Sequence, residues 1–196
     1  MSLADELKRH EAELVAAASK TPFIVFLCGP KLTANTRSAE FRARIKERLE
    51  REGFEVILGE DDGLDNPRLR GIGINAQDNE VEFIRRSCNA VIIIADSVGA
   101  FCELGLFSWH FVHRDGVFKK EKKAPDMDCI LLLRKKYRND KSYLNQGPAA
   151  AVNGFGKVEF VNFSIYDGNS VVERLRHRRG VSTVDNRRGR PRKTAS

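Results

Sequence analysis

No run of residues in this chain approaches the roughly eighteen uninterrupted apolar positions that a membrane-spanning helix requires, so none is expected. The N-terminal stretch MSLADELKRHEAELVAAASK intersperses charges with Leu and Ala. It reads as an amphipathic helix, because a signal peptide would need a continuous apolar core. Only four cysteines occur, Cys28, Cys88, Cys102 and Cys129, with no CxxC pair and no histidine cluster beside them. A disulfide framework and a zinc site are therefore not indicated, and the expectation is buried, reduced thiols in a cytoplasmic protein. GxGxxG and GxxxxGK(S/T) spacings are missing, which removes the dinucleotide fingerprint and the P-loop. So is a GxSxG elbow, and with it the commonest setting for a serine nucleophile.

Acidic counterweight is missing from one end alone. Of 34 Lys and Arg, nine fall between Arg174 and the C-terminus, against one of the 27 acids, Asp185. The remainder holds 25 basic and 26 acidic residues, so the overall charge of +7 belongs to the end of the chain.

What is present is an alternation of apolar runs and amphipathic stretches. PFIVFLCGP (22–30), FEVILG (54–59), NAVIIIAD (89–96), DCILLLR (128–134) and KVEFVNF (157–163) read as strands. Several lack polar alternation, as strands covered on both faces do. Between them, RSAEFRARIKERLEREG repeats Phe41, Ile45 and Leu49 every fourth residue and closes at Gly53, which predicts a helix. NEVEFIRRSC, the FCELGLFSWH stretch and SVVERLRHRR predict three more, and EDDGLDNPRLRGIGINAQ a long loop. Strand–helix alternation implies right-handed crossovers. The predicted fold is α/β: a three-layer sandwich with a mostly parallel five-stranded sheet, flavodoxin- or Rossmann-like. An N-terminal helix (1–20) precedes the domain (21–180), and a basic tail (181–196) follows it.

In such sheets ligands sit beyond the carboxyl ends of the strands. That rule selects Gly29–Pro30, the loop near Asp61–Asn66, Asp96–Gly99 and the segment after Arg134. Glu103 stands out as a lone acid in a helix whose apolar residues occupy every face, so the helix should be largely buried. A buried carboxylate without partners costs several kcal/mol. It is either a residue serving the helix dipole or one facing a cleft. Gly105, in mid-helix, suggests close backbone approach. Asp96 could hydrogen-bond a ligand or the entry of the next helix, and Asn75, Asp78 and Glu80 all suit a helix N-terminus. Gly29 and Pro30 could offer backbone groups to a ligand. His110 and His113 lack partners at metal spacing and read as core-edge or interface residues.

Four blocks together resemble the nucleoside 2-deoxyribosyltransferase-like family and its relatives, the TIR-like nucleotide glycosidases of bacterial defence systems. They are FIVFLCGP, NAQDNEVEFI, CNAVIIIADSVGAFCELG and the spacing among them, covering Pro22 to Arg134. The resemblance implies Glu103 as nucleophile, with Asp78 and Asp96 as assisting acids. It also implies that Gly29, Pro30, Asn79, Ser97 and Gly99 contact substrate. Aligning on Val98–Gly99 places Ser97 where many transferases carry aspartate, so either Asp96 or Ser97 takes that role. The chemistry fits these residue types, because cleavage of an N-glycosidic bond passes through an oxocarbenium-like state that a carboxylate stabilises or captures. No metal and no cofactor is expected.

Within the tail, RGRPRK resembles an AT-hook core, in which Arg-Gly-Arg-Pro lies along a minor groove. A disordered basic segment that binds any polyanion is the alternative. Arg187, Arg188, Arg190, Arg192 and Lys193 are the nucleic-acid candidates, and Arg174, Arg176, Arg178 and Arg179 could extend their footprint. The expectation is thus a cytoplasmic N-glycosidase or deoxyribosyltransferase-like enzyme acting on a nucleoside, nucleotide or NAD. Its tail would engage nucleic acid, and its assembly would be a homodimer or a larger defence complex, as in some retron systems. The alternatives are a non-enzymatic nucleotide sensor and a nucleic-acid-binding accessory protein on the same fold.

Overall fold

The computed structural model describes residues 3–19, 21–60, 75–110, 127–154 and 156–187. Five strands, β1 (Ile24–Cys28), β2 (Glu55–Leu58), β3 (Ala90–Ala95), β4 (Asp128–Arg134) and β5 (Lys157–Val161), form one sheet in the order β2-β1-β3-β4-β5. Every pairing is parallel, with Leu27 opposite Ile92 and Ile92 opposite Ile130 in register. The central strand β3 is buried at every position, which is why its sequence shows no alternation.

Helices cover both faces. On one, Phe41, Ile45 and Leu49 of α2 (Arg37–Arg51) and Val171, Val172 and Leu175 of α6 (Asn169–Arg187) pack on Val25, Leu27, Ile92, Ile94, Ile130 and Leu132. On the other, Ile84 of α3 (Ala76–Ser87), Leu104 and Phe107 of α4 (Val98–Phe107) and Val152 of α5 (Ala150–Asn153) meet Phe26, Val91, Ile93, Leu131 and Leu133. Alternate residues of each strand serve opposite layers, as the period-two geometry of a strand dictates. α1 (Leu3–Ser19) lies against α6, and Thr21 and Thr183 share a hydrogen bond of 2.9 Å there.

The predicted α/β sandwich with a parallel five-stranded sheet is the fold observed. α2 is capped by Thr36, whose Oγ1 accepts the Ala39 N–H at 3.2 Å, and it ends at Gly53, which adopts φ +76°. Three local expectations differ. α3 begins at Ala76, three residues before the expected NEVEF stretch, because Asn75 caps it through the Asp78 N–H at 3.0 Å. α6 continues past Gly180 to Arg187. A mid-helix glycine costs about 1 kcal/mol, and burial of Arg179 and Thr183 on either side outweighs it. The segment after β4 is partly ordered as a 3-10 turn (Lys135–Tyr137) and a π-helical turn (Asn145–Ala149) around Pro148. Proline donates no amide hydrogen, which favours such a turn over a regular helix. Among the described residues, no helix is long and apolar enough to cross a membrane.

Candidate functional site

The strand order reverses its direction of winding between β1 and β3, the point beyond whose carboxyl ends open α/β sheets form their ligand crevice. Four elements bring polar side chains to it. β1 contributes Cys28, α3 contributes Asn79 and Glu80, α4 contributes Glu103, and the turn after β2 contributes Glu60. Arg42 reaches across from α2. Its Nη2 donates to the Leu27 carbonyl at 2.6 Å and to Glu60 Oε2 at 2.8 Å, and its Nη1 donates to the Pro30 carbonyl at 3.0 Å and to Glu60 Oε1. A buried guanidinium thus holds the end of β1 and the end of β2 together, with its charge matched by Glu60.

Three carboxylates share this neighbourhood, and their proton affinities record it. Burial pushes Glu103 up, while the Arg42 charge and a hydrogen bond with the Cys28 thiol oppose that shift and Glu60 adds to it. Glu80 is pushed up to about 7, first by burial and then by the negative charges of Glu103 and Glu60. The Cys28 thiol is raised well above its ordinary value by burial and by both glutamates, so it stays protonated. Burial thus raises both carboxyls, and Glu103 is the one with a neighbouring Arg42 charge and thiol that favour its ionised form.

Polar atoms in this crevice also stand without partners. Glu103 Oε2, both amide atoms of Asn79 and Arg42 Nε are buried and make no hydrogen bond. Asn79 is 6% exposed. Leaving such groups unpaired costs about 1–3 kcal/mol each, so their concentration in one crevice marks a place where a ligand would complete them.

Each residue singled out in the sequence has a definite place. Glu103 lies in the crevice, and Asn79 is buried on α3 one position before Glu80. Gly29 and Pro30 border it but are engaged by Arg42: a side chain at Gly29 would meet Arg42 Cδ at 3.0 Å and Ile94 Cβ at 3.1 Å. Asp96 has both carboxylate oxygens occupied, by Arg134 Nη2 at 2.6 Å, Arg134 Nε and Ser38 Oγ at 2.5 Å, so it ties the ends of β3 and β4 to α2. Ser97 caps α4 by accepting the Ala100 N–H at 3.2 Å, and Gly99 is exposed beside it. Asp78 is exposed in the first turn of α3, where it accepts from Asn75 Nδ2 at 3.0 Å. The acid that α3 turns toward Glu103 is Glu80.

Two expectations for α4 are corrected. The helix is half-buried: Ala100, Leu104 and Phe107 face the sheet, while Val98 is 84% and Trp109 60% exposed. No described atom lies within 4 Å of a side chain added at Gly105, so among the described residues no close backbone approach explains that glycine. The sequence alone does not point to Arg42, Glu60 or Cys28 as part of the site. Arg42 does carry a signal, since it shares the buried helical face of Ser38, Phe41, Ile45 and Leu49.

Most arginines of α6 are committed within the molecule. Arg174 pairs with Asp128 and Arg176 with Glu52, while Arg179 is buried, with Nη1 donating to the Glu52 and Gly53 carbonyls. Arg187 closes α6, but its side chain and Arg188, Arg190, Arg192 and Lys193 lie outside the described residues, as does His113. Among the described residues no three His, Cys, Asp or Glu side chains are grouped so as to hold a metal ion.

A family model described as STM3845 retron effector protein matches residues 38–193 of the chain. That span contains every carboxylate of the crevice and most of the tail. No curated protein matches the chain.

Proposed function

The chain belongs to the STM3845 retron effector protein family, which supports a role as a defence-related effector, and from this premise we propose that it is an N-glycosidase of the nucleoside 2-deoxyribosyltransferase-like class. The observation that carries the reading is the pair of unlike carboxylates in the crevice. Glu103 has a buried oxygen without a partner, and beside it Glu80 titrates near neutrality.

In the proposed reaction a nucleoside, nucleotide or NAD presents its anomeric carbon to Glu103. In a nucleoside or nucleotide the C1′–N bond breaks with its electron pair passing to the base, whose nitrogen takes the Glu80 proton. The pyridinium nitrogen of NAD becomes neutral on accepting that pair, so Glu80 there serves only as the carboxylate that activates water. Glu103 stabilises the oxocarbenium-like sugar or bonds to it. Water, deprotonated by Glu80, then releases the sugar in a hydrolase; a second base takes it in a transferase. Asn79, with a free carbonyl oxygen and a free amide nitrogen, suits a sugar hydroxyl. Arg42 is a positioning residue that fixes the floor of the crevice.

Incubating the protein with NAD, nucleotides and deoxynucleosides, and following free base by chromatography, tests this reading. Release by the wild type is expected, with a fall of at least about 10³-fold in Glu103→Gln. If both proteins are inert while a nucleotide still binds, the sensor alternative replaces the enzyme.

A further inference from the structure

A second concave surface lies along the same edge of the sheet. The last residue of β4 is Arg134 and the last of β5 is Val161, and past them, against the start of α2, is a cavity of about 250 Å³. It is lined by Arg37, Arg134, Lys135 and Lys136, with Asn162 and Ser164 among its neutral members, and no carboxylate lines it.

The charges there are not consumed by the fold. Arg134 spends Nε and Nη2 on Asp96, which leaves Nη1, and Arg37 meets Glu40 through Nη1 alone. Lys135 has no acidic partner among the described residues, and the Lys136 ammonium stands 4.8 Å from the Tyr137 ring centre. Two positive charges therefore remain uncompensated in a hollow. Three arginines elsewhere are matched by carboxylates: Arg42 by Glu60, Arg174 by Asp128 and Arg176 by Glu52. The amino terminus of the 15-residue α2, capped by Thr36, adds the positive end of its dipole. Asn162 uses Oδ1 to accept the Ser164 N–H at 3.2 Å, which leaves its amide nitrogen as a donor.

We propose that this cleft binds a phosphate group, carried either by a free nucleotide or by a nucleic-acid strand. Arginine forks and lysine point charges together are the donor set that phosphate oxygens prefer. The cavity lies below the about 300–1,000 Å³ that whole small-molecule ligands fill, so it takes the phosphate and its ester oxygens and leaves the rest of the ligand outside. Arg134, held in place by Asp96, forms one wall, and the glutamate crevice uses none of the cleft's residues. Binding here does not depend on glycosidic cleavage.

The test is an amide NMR titration of the ¹⁵N-labelled full chain with pyrophosphate, AMP and a short single-stranded oligodeoxynucleotide, each at low salt. Saturable shifts of the Asn162 and Ser164 amides are expected with at least one probe. Affinity should fall about tenfold or more in Lys135→Gln/Lys136→Gln and stay unchanged in Lys46→Gln. Both cleft lysines are exposed, so the variant should keep its thermal midpoint. Response to pyrophosphate and AMP identifies a free nucleotide, and response to the oligonucleotide alone identifies a strand. The proposal is overturned if those two amides respond to none of the three probes, or if the double variant binds as tightly as the wild type.

Discussion

Arg42 grips Glu60 through both terminal guanidinium nitrogens, although the arginine side chain is 1% exposed and the glutamate 40%. One partner is locked into the fold and the other reaches the crevice. The pair therefore transmits the position of α2 to the ends of β1 and β2.

Removing the arginine should be costly. Arg42→Met leaves the Leu27 and Pro30 carbonyls without their donor, and Glu60 must turn to water. A loss of about 2–4 kcal/mol is expected, at or below what a fully buried orphaned partner costs. Urea denaturation of Arg42→Met and of Arg42→Met/Glu60→Gln measures it, with the double variant recovering little if the orphaned carbonyls dominate.

Glu80 should shape the response to pH. Its folded value, about 7, lies above the ordinary 4.5, so the fold favours the protonated form. That contribution to stability is full below about 4.5 and is lost as pH rises through about 7. After discounting for its partial exposure, the loss is about 1–2 kcal/mol. Comparing unfolding at pH 5 and pH 8 should show the decline in the wild type and its absence in Glu80→Gln. Glycosidic cleavage should weaken over the same alkaline limb, and Glu80→Gln should slow it about 10²–10⁴-fold.

Gly59 separates packing from chemistry. A side chain there would stand 2.8 Å from Glu80 Oε1, the far end of a flexible group that can swing aside. The smaller entropy of the unfolded alanine chain, about 0.4–1 kcal/mol, offsets the crowding, so Gly59→Ala should melt near the wild type. A carboxyl displaced by an ångström can cost about 10²-fold in rate. An assay showing unchanged turnover would remove Glu80 from the reaction.

Deleting residues 187–196 should weaken binding to DNA or RNA and flatten its dependence on salt, because a phosphate that the tail no longer neutralises keeps its counterion. Filter binding over a range of salt concentrations reads both quantities, and identical slopes would deny the tail that role.

Much of this architecture is legible in the sequence because its causes are local. Strands buried on both faces, such as Val91–Ile94, must be continuously apolar, and α2 announces itself through Phe41, Ile45 and Leu49. Glu103 is legible because an acid among Phe101, Leu104 and Phe107 is costly to bury unless a partner or a cleft meets it. Its companion is not. Asp78 and Glu80 are two residues apart, about 200° around a helix, and nothing in the polar first turn of α3 says which one faces inward. The Asp96–Arg134 pair is also hidden, because it joins the ends of adjacent strands through residues far apart in sequence. Asp96 reads from the sequence as free to face a ligand, whereas its charge is answered across the sheet.

The arginines of α6 fix a polarity for the molecule. Asp128 begins β4, Glu52 and Gly53 precede β2, and Thr21 precedes β1, so the later turns of α6 are fastened at the amino edge of the sheet. α6 therefore ends toward the pole opposite the glutamates, with about 20 Å of strand in between. The last turns of α6 and the Glu80–Glu103 pair occupy opposite ends of the same strands, so a substitution on those turns acts on the amino pole and leaves the carboxyl pole in place.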